Sequence, residues 1–131
     1  MIKVTIPSQL GYEKVAMMGV ACLARMIGLP SERIEDLKTI IGEAVTNAIE
    51  HGNQSNTDLM VQVVAAVQGK VLVLNVIDEG QRPLPVPLPI EQIRTDHRGM
   101  GFFLISSLAD EVIPRVFPGR NDLEMIVHLG G

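Results

Sequence analysis

Glu43, Asn47 and His51 recur four residues apart in the stretch GEAVTNAIEHGN. Residues at that spacing stack along one side of a helix. A carboxylate and a carboxamide one turn apart both offer oxygen to a hard cation, and Mg²⁺ takes oxygen ligands while keeping several waters. A glutamate beside such a site can also take a proton from a hydroxyl or from water. A solvated helix face is the competing explanation. On spacing alone it has the better claim, because E-x-x-x-N is a common pattern.

Asp78 is a second carboxylate of interest. It closes the apolar run VLVLNVID and is followed by Glu79-Gly80. In an extended strand it shares a face with Leu72, Leu74 and Val76. A carboxylate at the edge of an apolar layer needs a donor, and the exocyclic amine of a base would serve. An aspartate that only opens a turn is the alternative.

A third feature is HRGMGFFLISSLADEV, which sets Gly99-Met100-Gly101 ahead of a helix carrying Phe102, Leu104, Ile105 and Leu108. Glycines there let backbone N–H groups approach a phosphate, and a helix N-terminus favours negative charge. It is not a dinucleotide fingerprint, since the third glycine is absent and a proline-rich segment precedes it. It is not a P-loop, since no G-K-[ST] follows.

The elements that must position these residues follow from periodicity. Lys3 to Ile6 alternates and reads as a strand ended by Pro7. Ser8 caps a helix running to about Ile27, with Gly28 as its stop and Pro30 beyond. Ser31 caps a second helix, whose apolar residues from Ile34 to Ile49 follow steps of three and four. Gly52-Asn53 ends it. Leu59 to Val67 and Val71 to Asp78 form a hairpin about Gln68-Gly69-Lys70. Both faces of the second of these strands are mostly apolar. One takes the helices; the other calls for cover, for which a second subunit is one source.

QRPLPVPLP excludes a regular helix or a central strand. It begins an extended loop of about fifteen residues, a length typical of functional lids. A PxxP ligand for a partner module is the weaker reading, because the loop lies between structured elements. Gly99 to Leu108 is a third helix. Glu111 to Val116 and Leu123 to Leu129 are closing strands joined at Pro118-Gly119. The order βααββ-loop-αββ gives an α+β fold of two layers, with about three helices on one face of a mixed, mostly antiparallel sheet.

The 131 residues suit a single domain, 1–131, with one core. At 47% hydrophobic the chain is not of the disordered class. Its formal net charge of −4 weighs against nucleic-acid or anionic-membrane partners. Arg94, Arg98, Arg115 and Arg120 are the candidates for a local basic patch. The lone Cys22 cannot form an internal disulfide and reads as a small buried hydrophobe. The start MIKVTIP lacks a secretory apolar core, and no apolar run reaches membrane-spanning length. A soluble cytoplasmic protein is expected.

Taken in order, E-x-x-x-N on a helix, D-x-G after a strand, a long loop and R-G-x-G opening a helix resemble the GHKL ATPase superfamily with its Bergerat-type nucleotide fold. Within it the chain is most similar to the bacterial anti-sigma-factor serine kinases. EDLKTIIGEAVTNAIEHGN resembles their N box, VLVLNVIDEG their first glycine box and HRGMGFFLISSLADEV their second. The lead-in VTIPSQLGYEKV also looks like that family, so the resemblance covers nearly the whole chain.

The resemblance implies ATP and Mg²⁺ as cofactors. Asn47 would coordinate the Mg²⁺ that bridges the phosphates. Glu43 would be the general base that activates a serine hydroxyl on a protein substrate. Asp78 would accept from the adenine amine, and Gly80 would let the base pack close. Gly99, Met100 and Gly101 would face the phosphates, Gln81 to His97 would be the lid, and Arg98 would be presented to protein partners. Those partners would be a sigma factor, a STAS-type anti-anti-sigma protein as phosphoryl acceptor, and a second copy in a homodimer.

Three departures stand out. Arg82 replaces the second glycine of the first glycine box. The lid carries four prolines. Arg120-Asn121 stands where the family often has Gly-Thr, which puts a threonine contact to nucleotide in question. Two other functions compete: a non-catalytic ATP-binding partner-switch module, and the ATP-binding domain of a histidine kinase. The latter is disfavoured because the first helix contains no histidine.

Overall fold

A computed structural model describes residues 1–80 and 100–130 of the chain. The elements in order are β1 (Ile2–Pro7), α1 (Glu13–Met26), α2 (Ser31–Asn47), a π-helical turn (Ala48–Gly52), β2 (Met60–Gln68), β3 (Val71–Asp78), α3 (Met100–Leu108), β4 (Glu111–Phe117) and β5 (Arg120–His128). The five strands form one sheet in the order β1-β2-β3-β5-β4. Every pairing among them is antiparallel.

Alternation along the strands sorts the sheet into two faces. Ile6, Val61, Val63, Leu72, Leu74, Val76, Met125 and Val127 point to one side and are buried there. The helices cover this side with Val20 from α1, Leu37, Ile40 and Ile41 from α2, and Phe102 and Ile105 from α3, all buried. Burying each large aliphatic side chain contributes about 1.5–3 kcal/mol, so this single layer holds helices and sheet together. Gly42 lets α1 close on α2: a methyl group there would stand 3.1 Å from Met17 Sδ.

The other face carries half-buried Val64, Val73, Ile77 and Ile126. It is less apolar than β3 alone suggests, because a polar network crosses it. Asn75 Nδ2 donates to Asp122 Oδ1 at 2.9 Å and to Glu124 Oε2 at 3.2 Å. Arg115 pairs with Glu124 at 3.2 Å.

Three local expectations need correction. Ser8 does not cap α1. It is buried, and its hydroxyl donates to Leu59 O at 2.7 Å, while α1 begins five residues later, after a turn in which Gly11 has φ 109°. Ser31 lies inside the first turn of α2, whose N-cap is Pro30. Cys22 is exposed rather than buried, because it lies opposite the buried stripe Ala16, Val20 and Ala24. The end of α1 is as expected. Gly28 takes φ 83° and its N–H donates to Arg25 O, while Leu29 N–H donates to Ala24 O, the paired bonds of a Schellman stop.

Candidate functional site

The C-terminal end of α2 and the C-terminal end of β3 meet beneath the start of α3. Glu43 and Asn47, one turn apart on α2, are both half-buried. Gly101, in the first turn of α3, lies against both of them. A Cβ on Gly101 would stand 2.6 Å from Glu43 Oε2 and 3.5 Å from Asn47 Nδ2. Its bare Cα keeps this gap clear, and its backbone is brought beside the carboxylate and the carboxamide. Met100 contributes the first helical residue of α3. Gly99, Arg98 and the proposed lid lie outside the described residues.

Beyond Asn47 the helix loosens into the π-helical turn. Such turns insert a residue into the helical course and are frequent at functional sites. Here the turn delivers Gly52 beneath Asp78: a Cβ on Gly52 would fall 2.2 Å from Asp78 Oδ2. Asn53 follows, fully buried, and its side chain joins three segments. Nδ2 donates to Ser8 Oγ at 2.9 Å and to Met60 O at 3.0 Å, and Oδ1 accepts the N–H of Glu79 at 2.8 Å. The helix end is thereby tied to the ends of β1, β2 and β3. Gly52-Asn53 is more than a helix stop.

Asp78 is 2% exposed, on the helix side of the sheet as the alternation predicts. Its Oδ1 accepts the N–H of Gly80 at 2.7 Å and Nδ2 of Asn121 at 3.0 Å. Asn121 sits directly opposite it in the β3–β5 ladder and is 1% exposed. No donor among the described residues reaches Oδ2. Burial pushes the Asp78 carboxyl above its ordinary value of 3.8, and the donors Gly80 and Asn121 pull it partly back. Asp78 lines a pocket with Ala44, Asn47, Ala48, Val76, Phe102 and Leu123. That slot is small, about 10 Å³, and apolar except for Asp78 and Asn47.

Gly80 also meets a packing need of its own. It has φ 69°, and a Cβ on it would stand 2.4 Å from Arg120 N and 2.7 Å from Gly119 C. Its bare side faces the β4–β5 turn. His51 is exposed. Gly52, Asn53 and Asn121 escape a sequence reading that treats the first two as a stop and the third as a departure.

With this geometry in view, comparison with known proteins is direct. The model of the histidine kinase-like ATPase domain matches residues 6–127. An anti-sigma F factor of Thermoanaerobacter sp. (strain X514) is 30% identical over 128 residues, covering 94% of this chain and 89% of that protein. Serine-protein kinase RsbW of Oceanobacillus iheyensis is 30% identical over 122 residues, covering 85% of this chain and 76% of that one. The solved RsbU and RsbW domains of a Mycobacterium tuberculosis protein share the fold, with a TM-score of 0.68 at 21% identity. The match covers 97% of this chain and 32% of that longer one. From the family match and the extent of these likenesses, the chain belongs to the histidine kinase-like ATPase family, where its relatives include anti-sigma factors and serine-protein kinases.

Proposed function

We propose that this chain is an ATP-dependent protein serine kinase that also acts as an anti-sigma factor. One observation carries the nucleotide part: a buried carboxylate, Asp78, with one oxygen held by two donors and the other without a donor among the described residues, at the end of an apolar slot. An exocyclic amine supplies the missing donor, and the apolar walls suit the faces of a flat base once the slot, about 10 Å³ as it stands, opens to admit it. The names of the relatives support the partner assignment.

Asp78 orients the base. Asn47, which also lines the slot, faces the phosphates, and the first turn of α3 brings backbone N–H groups and the positive end of a helix dipole toward them. Phosphoryl transfer depends mainly on positioning and charge neutralisation. Glu43, against Gly101, is placed to take the proton of an incoming serine hydroxyl.

The donor set also suits Mg²⁺. No group of three His, Cys, Asp or Glu side chains among the described residues could hold a metal alone. Asn47 beside Glu43 offers the one or two protein oxygens that Mg²⁺ takes when phosphates and water complete its shell. Mg²⁺, when bound there, would neutralise charge on the transferring phosphoryl group.

The protein partners in this reading are a sigma factor, bound and silenced, and a STAS-type anti-anti-sigma protein, phosphorylated on serine. A homodimer belongs to the same reading, supported by the half-buried apolar residues of the outer sheet face. So does a cytoplasmic location; no described helix is long and apolar enough to cross a membrane. The nucleotide step is tested by titrating Mg-ATP into the protein and its Asp78→Ala variant. Saturable binding by the first and none by the second supports the reading. Equal binding by both contradicts it.

A further inference from the structure

The surroundings of Asp78 are asymmetric. Oδ1 accepts from two groups, the backbone N–H of Gly80, which can only donate, and Nδ2 of Asn121. Oδ2 lies over the bare Cα of Gly52. Asn121 is locked in the ladder opposite Asp78 and buried. The Gly80 N–H therefore demands an oxygen on the Oδ1 side, and Asn121, in the orientation seen here, reinforces that demand.

We propose that Asn121, together with the Gly80 N–H, sets the hydrogen-bond polarity of the pocket and so decides which group at purine position 6 is accepted. This deepens the nucleotide reading and rests on it. With aspartate at position 78 the second atom is also an oxygen, and it accepts from a 6-amino group. In an Asp78→Asn variant the two donors would hold the carboxamide oxygen in the Oδ1 place. Its NH₂ would then take the Oδ2 place and donate. The opposite orientation would set a third donor against the first two. The pocket's preference would invert, from a 6-amino purine to a 6-carbonyl purine. A site that leaves a buried polar group unmatched discriminates strongly. Asn121 is thus a positioning residue, acting on the base through residue 78.

The test is equilibrium binding of ATP and of inosine triphosphate, in which a carbonyl replaces the 6-amino group. Wild type should favour ATP by at least about tenfold, and Asp78→Asn should favour inosine triphosphate by a similar factor. Adding Asn121→Ala to Asp78→Asn frees the carboxamide to turn over and should bring the two affinities within about threefold of each other. Asn121→Ala alone should narrow the wild-type preference for ATP. The proposal is overturned if Asp78→Asn keeps an ATP preference or binds neither nucleotide while wild type binds ATP. It is equally overturned if the double variant keeps the full inversion. Wild type binding neither nucleotide would overturn this proposal and the nucleotide reading together.

Discussion

Asn53 Oδ1 accepts the backbone N–H of Glu79 at 2.8 Å, joining the end of the long helix to the residue after Asp78. The bond fixes the spacing between the two halves of the site. Asn53 is fully buried and bonded on both sides of its amide. Removing it would take away its bonds to Ser8, Met60 and Glu79. Asn53→Ala should destabilise the fold by about 2–4 kcal/mol, since each lost hydrogen bond contributes about 0.5–1.5 kcal/mol. Urea denaturation measures this, and a loss under about 0.5 kcal/mol, the scale of an ordinary surface substitution, would contradict the role.

Gly52 and Gly101 both lie at close approaches, with different expected consequences. A methyl group on Gly52 meets the Asp78 carboxylate at 2.2 Å and pushes it from its position. Gly52→Ala should weaken ATP binding by at least about tenfold, as read by calorimetry. Unchanged affinity would mean that Asp78 does not hold the base.

On Gly101 the methyl group would meet the end of the Glu43 side chain, which can move aside. Gly101→Ala should leave the melting temperature nearly unchanged. Phosphoryl transfer should slow by about 10–100-fold, because misplacement of about 1 Å is enough for that. A variant with an unaltered rate would separate Glu43 from the chemistry.

Burying Asp78 has a cost that depends on pH. Its folded pKa is raised above 3.8, chiefly by desolvation. Between those two values the native state holds the proton more tightly than the unfolded state, so stability falls as pH rises through that window. Asp78→Asn removes the pH-dependent part of that cost. The melting temperature of the variant relative to wild type should therefore rise as pH increases from about 4 to 7. Thermal melts across this range provide the measurement. A difference that does not change with pH would contradict the burial cost.

Much of the architecture is legible in the sequence because it is written in local periodicity. The bounds of β3 and the inward direction of Asp78 follow from alternation alone, and the buried face of α2 follows from its steps of three and four. Long-range partnerships are not written that way. Asn121 lies 43 residues from Asp78, and Asn53 lies 26 from Glu79, so neither role has a local signature. Ser8 looks like a cap until Leu59 is placed beside it. Cys22 fails for another reason. The run GVACLA is apolar all round, and only packing decides which side is buried. The lid, Arg98 and Gly99 lie outside the described residues, so their roles rest on the resemblance.

Proton transfer from a serine to Glu43 is tested by transfer of label from γ-labelled ATP to a candidate anti-anti-sigma protein, by wild type and by Glu43→Gln, with ATP affinity measured for both. Equal affinity is expected, with a labelled serine for wild type and labelling reduced at least about a hundredfold for the variant, the scale of a lost general base. Labelling by the variant at the wild-type rate would contradict it. So would two proteins that bind ATP equally and label no candidate serine.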